Sequence, residues 1–346
     1  MALDGIVISS LVKEFNETLT GGKIAKIAQP ENDELLLTIK NFRNQYRLLI
    51  SAGASLPLIY LTGDNKPSPM TAPNFCMLLR KHIANGKILR IWQPGLERII
   101  HFEIEHLNDL GDLCHKVLTV EIMGKHSNII FCDDNNKIID SIKHVGIQMS
   151  SVREVLPGRE YFIPHTQDKE NPLTITEERF RETVLTKPLP LSKALYMTLT
   201  GISPLIAEEI CHRASLESDQ SANSFSDTEA THLYHTLSRL MEDVKNGNFT
   251  PTVVYDGREP LEFSALPLTL YQDKRVETFE SISAVLENYY AMKNTITRIR
   301  QRSSDLRRIV NTALERNRKK YELQLRQLKD TEKREKFRQN PNTSFI

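Results

Sequence analysis

Residues Lys23–Ser51 read KIAKIAQPENDELLLTIKNFRNQYRLLIS, and this stretch decides the fold class. Its apolar residues come in three short runs, Lys23–Ala28, Glu34–Lys40 and Tyr46–Ser51, separated by turn-forming residues. Runs of this length and spacing predict a meander of β-strands. Upstream, Ile8, Leu11, Val12, Phe15 and Leu19 recur at helical spacing and stop at Gly21-Gly22. Downstream, Pro73 opens a second helix through Leu78, Leu79, His82 and Ile83, ended by Asn85-Gly86. Further strands are predicted at Ile88–Gln93, Arg98–Glu105, Lys116–Ile122, Asn128–Cys132 and Ile138–Val145, the last two joined by a turn at Asp134-Asn135-Asn136. Two helices and about eight strands predict an α+β domain over residues 1–165, built on an antiparallel β-sandwich. Pro157-Gly158 and Pro164 close it.

A helical segment follows, forming a second domain over 166–275. Glu177–Leu185 and Leu191–Ala214 carry helical patterns, the latter broken at Thr200-Gly201-Ile202-Ser203-Pro204, which predicts an αα-hairpin. Leu216–Thr231, rich in Ser, Asp, Glu and Asn, reads as a mobile acidic loop. Another helix is expected at Leu233–Val244, then a small strand region around Thr252–Tyr255 and Leu266–Tyr271. From Phe279 to Arg338 there is neither Gly nor Pro. Ile282, Val285, Tyr289, Met292, Ile296, Ile299, Leu306, Val310 and Ala313 keep a heptad seam, which then slips to Leu314, Tyr321, Leu325 and Leu328. Residues 276–340 thus predict a coiled-coil arm reaching on the order of 90 Å. A lone amphipathic helix of that length needs a partner. Either two copies pair, or the sequence is a piece of a longer protein whose returning helix lies outside it.

The 346 residues carry a formal charge of only +1. That near-neutrality is a cancellation. Residues 1–165 hold 18 basic and 18 acidic side chains, residues 166–292 hold 11 and 20, and residues 293–339 hold 16 and 6. A basic tail suggests a polyanionic partner, with Arg300, Arg307, Arg308, Arg316, Arg318, Lys319 and Lys320 as the expected contacts; a solvated helix explains the same charges. No run of about 18 apolar residues suggests a membrane span, and the start MALDGIVISSLV lacks a signal-peptide pattern. Four scattered cysteines with no C-x-x-C pair argue against a zinc site or disulfide framework. These features predict a cytoplasmic protein without metal or cofactor.

Chemistry concentrates in a few stretches. Glu121–Asn128 contains Gly124-Lys125 yet is no phosphate-binding Walker loop, because Thr119 and His126 occupy the required Gly and Ser/Thr positions. Gly124, Lys125, His126, Ser127 and Asn128 read instead as a polar turn offering donors to phosphate or ribose. Arg80-Lys81-His82 puts three cationic or titratable groups in one helical turn. Glu97-Arg98 is expected at a strand start, where alternation sends one of the two toward the interior or a groove. The turn at Thr200–Pro204 resembles a helix-hairpin-helix, in which Gly201 admits close approach of a phosphate; Glu208 and Glu209 would make that face acidic, and a packing hairpin is an equal reading. No G-x-S-x-G elbow, H-E-x-x-H pair or metal-ligand spacing supports catalysis.

Taken in order, these stretches resemble the NFACT family, whose bacterial ribosome quality-control members were once called fibronectin-binding protein A-like. The resemblance is carried by Ala2-Leu3-Asp4-Gly5, Gly21–Ile24 with Gln29-Pro30, Phe75–Ile83, Gly95–Ile99, Glu121–Asn128, Asp140–Val145 and Leu156-Pro157-Gly158. It extends through the hairpin and Phe263–Leu268 to the coiled coil. It implies a first domain similar to the N-terminal domain of formamidopyrimidine-DNA glycosylases, but Met1-Ala2-Leu3 lacks their N-terminal proline nucleophile, so no enzyme is implied. It implies binding of the large ribosomal subunit carrying a stalled peptidyl-tRNA, recruitment of alanyl-tRNA, and untemplated alanine tails. The family's tRNA-binding Asp and Asp-Arg pair fall on Asp4 and on Glu97-Arg98, with Glu97 in place of the second Asp. A returning coiled-coil helix and an RNA-binding domain complete the family's full-length proteins. The older family name implies a competing reading, a surface adhesin for fibronectin or fibrinogen; a DNA-processing enzyme is a third.

Overall fold

Asp4 starts the fold by capping the first helix, α1 (Gly5–Leu19), accepting hydrogen bonds from the Ile6 and Val7 amides through its carboxylate. A computed structural model describes residues 3–108, 110–164 and 168–339, with backbone only at 294–305, 337 and 339. Residues 1–289 form one compact unit and 290–346 a second. After α1 come β1 (Lys23–Glu31), β2 (Glu34–Asn41), β3 (Asn44–Ser51) and β4 (Leu58–Leu61), then α2 (Asn74–Ile83). Five more strands follow, β5 (Lys87–Trp92), β6 (Ile99–Leu107), β7 (Leu113–Glu121), β8 (Asn128–Asp133) and β9 (Ile138–Ser141). The short β4, whose Leu-Ile-Tyr-Leu run is flanked by Pro57 and Gly63, escaped prediction.

All nine strands pair antiparallel in one order, β4-β3-β2-β1-β5-β6-β7-β8-β9. The expected sandwich of two separate sheets is therefore one large sheet. Its midline is thin: β1 meets β5 in register only at Lys23 opposite Lys87. Beyond that pair the two strands diverge, and α2 packs against β1 and β6, its Arg80 Nε donating to the Ile27 carbonyl at 2.9 Å. α1 packs against β2, β5 and β6, so its apolar face belongs to both halves. Ile8, Leu11, Phe15 and Leu19 are fully buried there. Burying four such side chains contributes roughly 6–12 kcal/mol before chain entropy is counted.

Next come α3 (Glu177–Thr183), α4 (Leu191–Thr198), α5 (Pro204–Arg213) and α6 (Asp227–Lys245), then a three-stranded sheet of β10 (Thr252–Asp256), β11 (Glu259–Ser264) and β12 (Arg275–Thr278). The acidic stretch 216–231 is an ordered connection, not a mobile loop. The Leu191 and Ser192 amides donate to the Gln220 and Ser218 carbonyls, and Ala222 is buried. Its last five residues are the first turns of α6, because Ser226 and Glu229 form a capping box. The strand expected at Leu266–Tyr271 is irregular. Pro267 lacks an amide proton, and Glu209 accepts the Thr269 and Leu270 amides. Glu209 is thus fully buried and does not make the hairpin surface acidic.

The last helix, α7, runs Ile282–Gln339. Its root belongs to the first unit, where Ser283 Oγ accepts from the Leu61 amide and Thr62 Oγ1 donates to Glu287. In the second unit Leu306, Val310, Leu314, Tyr321 and Leu328 are all exposed, so the expected seam is an apolar stripe on one helix. Arg307, Arg308, Arg316, Arg318, Lys319 and Lys320 are exposed as well; the side chain of Arg300 lies outside the described residues. No helix among the described residues is long and apolar enough to cross a membrane.

Candidate nucleic-acid interface

Three chain segments far apart in sequence meet at α1's N-terminus. The Gly5 amide donates to the Gly201 carbonyl at 2.9 Å, and Ser203 Oγ donates to Asp4 Oδ2 at 2.6 Å. A Cβ on Gly5 would sit 2.2 Å from the Leu96 carbonyl oxygen, and one on Gly201 would sit 2.3 Å from the same atom. Glycine at both positions is what lets the backbones touch. Ser203 also caps α5, accepting from the Ile206 amide, so one hydroxyl links two helix starts. Asp4 is consumed in this joint: it is buried, and burial raises its carboxyl against the hydrogen bonds from Ser203, Val7 and Ile6.

The joint forms one wall of an open cavity of about 720 Å³. Glu97, Arg98, Thr200 and Gly201 line that wall; Lys125, His126, Ser127 and Asn128 line another; Lys143, His144, Met149 and Arg153 line a third, and Lys169 completes the set. Glu97 and Arg98 both face the cavity. The prediction that only one could do so assumed a strand, but β6 begins at Ile99 and the pair sits in the preceding turn.

The cavity is cationic because two carboxylates, Glu97 and Glu121, stand among Arg98, Lys125, His126, Lys143, His144, Arg153 and Lys169. Burial pulls the Arg98 guanidinium below its ordinary value, against the charges of Glu97 and Asp4. Burial also lowers Lys169, and the neighbouring Arg98 charge lowers it further. Two cations held together at the cost of their own charge mark a place where an anion lowers the energy. Several groups of the lining are already bonded within the protein. Lys143 Nζ donates to the carbonyls of Ala52 and Ser127, His144 contacts Asp140 at 2.6 Å, and Lys169 Nζ donates to the Tyr196 carbonyl at 2.9 Å.

The Gly124–Asn128 turn divides by role. Gly124 has φ +60° and opens a single 3-10 turn through His126. Lys125 and His126 project outward and exposed. Ser127 and Asn128 are buried: Ser127 Oγ accepts from the Met123 amide, and Asn128 brackets Lys143 by donating to its carbonyl and accepting from its amide. These two shape the turn, leaving Lys125 and His126 as its exposed groups on the cavity.

Beneath the third wall lies a buried polar chain. Glu121, with no exposed surface, accepts from Arg153 Nη2 and from the Tyr161 hydroxyl at 2.9 Å. Burial works against the Arg153 charge, and the Glu121 hydrogen bond and charge more than offset it. The Tyr161 ring stands edge-on to His101 at 5.9 Å, and His101 lies 4.9 Å from Trp92. Burial pushes His101 down to about 4, with Nδ1 2.8 Å from Thr119 Oγ1. An unfolded histidine takes a proton near pH 6.5, which the folded one refuses until about pH 4. The unfolded chain therefore binds more protons in that window, and stability falls as pH drops through it, by about 3 kcal/mol at pH 4. Urea unfolding of the protein and His101→Gln at pH 7 and pH 4.5 should show a shallower acid loss in the variant; parallel losses would overturn this.

Arg80, Lys81 and His82 do not join the cavity. They end α2, with Arg80 and Lys81 exposed and the His82 ring 6.0 Å from Phe131. Lys143, His144, Arg153 and Lys169 were not among the candidates. Lys143 and His144 lie in the resemblance segment Asp140–Val145, but no local pattern marks Arg153 or Lys169. The pairing of β7 with β8 and of β8 with β9 and the Val145–Val155 bridge place the first three, and the Glu170–Leu199 bridge places Lys169.

The family model for NFACT N-terminal and middle domains matches residues 4–341. The chain belongs to the NFACT family. Among curated NFACT relatives, the Rqc2 homolog RqcH of Bacillus subtilis is 37% identical over 312 residues, 90% of this chain and 52% of the relative. The chain thus spans about half the length of the curated NFACT relatives it matches. Two solved structures carry the same fold. The N-terminal part of the fibronectin/fibrinogen-binding protein from Streptococcus suis superposes with a TM-score of 0.68 at 30% identity, over 84% of this chain and 99% of that one. The fibrinogen binding protein from Staphylococcus aureus gives 0.70 at 30% identity, with the same coverage. In this NFACT chain the resemblance segments Asp4-Gly5, Gly95–Ile99, Glu121–Asn128, Asp140–Val145 and the hairpin turn all contribute to the cavity or its joint.

Proposed function

We propose that this chain is the tRNA-binding and ribosome-binding part of a ribosome quality-control factor. The cavity takes a phosphate-bearing segment of tRNA. Arg98 and Lys125 make the principal charge contacts, Glu97 orients Arg98, and Asp4 holds the joint that positions both. The observation that carries this reading is the convergence of cations from separate segments on one open cavity, with Arg98 close enough to lower the charge of the half-buried Lys169. The curated relatives' names, Rqc2 homolog and RqcH, support the same setting. In the whole protein the factor binds obstructed large subunits with peptidyl-tRNA and recruits alanyl-tRNA for untemplated C-terminal alanine tailing. It acts as a non-catalytic factor in the cytoplasm, and the basic α7 arm contacts ribosomal RNA.

Glu97→Ala/Arg98→Ala should reduce tRNA retained on isolated large subunits about tenfold or more, since a charged hydrogen bond lost from a site costs about 1.5–3 kcal/mol. The log–log salt slope should also shrink by about 1 for the lost phosphate contact. Undiminished tRNA would sink the assignment. A second reading, an adhesin, is favoured by the names of the two solved relatives, a fibronectin/fibrinogen-binding and a fibrinogen binding protein. Saturable binding to immobilised fibronectin that the same double variant leaves intact, combined with no tRNA retention, would favour it.

A further inference from the structure

Three lysines stand directly opposite one another on three neighbouring strands. Lys40 of β2 pairs with Lys23 of β1, and Lys23 pairs with Lys87 of β5. Cross-strand partners share a face, so the three ammonium groups form a row with about 4.8 Å between strands. A bulge at Ala25 adds a fourth: the register shift puts Lys26 opposite Thr38, two residues from Lys40 and on the same face. All four lysines are exposed, and no carboxylate lies within 4.0 Å of their nitrogens among the described residues. Glu105, opposite Lys87 on β6, ends the row. Like charges directly opposite one another destabilise a sheet. Three such lysines stand at its thinnest seam, with Glu105 opposite the last of them.

The adjoining hairpin tip is unusual in its own right. Asn41 pairs with Asn44, leaving a two-residue turn of Phe42 and Arg43. Phe42 has φ +52°, at the position where such turns favour glycine, and its side chain is 101% exposed. A bulky residue there is strained. The neighbours hold it: the Asn41 side-chain amide donates to the Thr18 and Thr20 carbonyls at the end of α1. The turn thus presents an uncovered aromatic ring two residues from Lys40 and beside Arg43.

We infer that the β2–β1–β5 face and the Phe42 tip form a second RNA-binding surface, in which the lysines track phosphates and Phe42 stacks on an unpaired base. Electrostatic tracking plus an aromatic platform is how single strands are held without sequence preference. A membrane surface is the weaker fit, because the tip offers one apolar side chain where interfacial anchoring needs a broad apolar face. The surface is separate from the cavity. Glu105 lies six residues along β6 from Ile99, roughly 20 Å at strand rise, and the cavity is at the Ile99 end.

The test uses the full chain carrying Glu97→Ala/Arg98→Ala, so that the cavity does not contribute, with fluorescein-labelled oligouridylate titrated across potassium chloride concentrations. Adding Lys23→Gln, Lys40→Gln and Lys87→Gln should flatten the log–log salt slope by about 2. Phe42→Ala should weaken binding about fivefold or more and leave the slope unchanged. The lysine variant should melt no lower than its parent, since repulsion is relieved. An unchanged slope and affinity in the lysine variant overturns the inference, as does capture by phosphatidylserine vesicles without capture of RNA. An unchanged affinity in Phe42→Ala overturns the stacking role. Failure of the cavity reading would appear separately, as tRNA retention insensitive to Glu97 and Arg98.

Discussion

Gly201→Ala should lower the thermal midpoint of this protein by about 10 °C and disorganise the cavity without touching any charged residue. The new methyl would lie 2.3 Å from the Leu96 carbonyl oxygen and 2.6 Å from Leu96 Cβ, and one of those atoms is backbone. The position also has φ +74°, which a side chain disfavours. Overpacking costs about 1–3 kcal/mol and left-handed backbone about 1–2 more. A total near 3–4 kcal/mol in a unit of this size gives the stated shift, at about 2–4 °C per kcal/mol. Gly5→Ala meets the same oxygen at 2.2 Å and, without the backbone cost, should show the overpacking part of that loss. Differential scanning calorimetry checks both, and Gly124→Ala is the control. Gly124 also has positive φ, but its Cβ would enter open space, so only the smaller backbone cost applies. Equal shifts for Gly201 and Gly124 would show that the joint is not close-packed.

Arg153→Met should cost about 3–5 kcal/mol, because it leaves the fully buried Glu121 carboxylate with Tyr161 as its remaining hydrogen-bond partner. Glu121→Gln/Arg153→Met should recover most of that loss, since removing both charges removes the desolvation cost they share. A urea double-mutant cycle measures the coupling. A single-variant loss under about 1 kcal/mol would mean that water reaches Glu121. The consequence for the site follows from position. Arg153 sits in the loop closed by the reciprocal Val145–Val155 hydrogen bonds, and that loop carries Met149, Ser150 and Val152 to the cavity. Arg153→Met should therefore weaken tRNA retention with Glu97 and Arg98 intact, and the double variant should restore it.

The helix α1, the three-strand meander from Lys23 to Ser51 and the hairpin around Gly201 were legible because each is written locally. Apolar spacing sets the period, and Gly21-Gly22 or Gly201 marks the stop. The capping box at Ser226 and Glu229 was equally local and was outweighed by composition, which is why 216–231 read as a mobile loop. The candidate site was half legible. Lys125–Asn128 were marked by turn chemistry and Glu97-Arg98 and Lys125–Asn128 by resemblance, whereas Arg153 and Lys169 reach the cavity through chain pairing that no local pattern encodes.

By itself the sequence determined most of the helix and strand identities, the glycines at tight turns and the basic character of the α7 arm, since propensity, periodicity and charge act over a few residues. The tertiary structure alone decided which of those residues meet. Asp4 came out as a buried linchpin because Ser203, 199 residues away, closes on it. Glu97 and Arg98 came out on one side because β6 starts one residue later than expected. The lysine row exists because the register of β1 against β2 and β5 sets Lys23 opposite both Lys40 and Lys87. Long-range register depends on how whole faces bury, and that is a property of the assembled sheet.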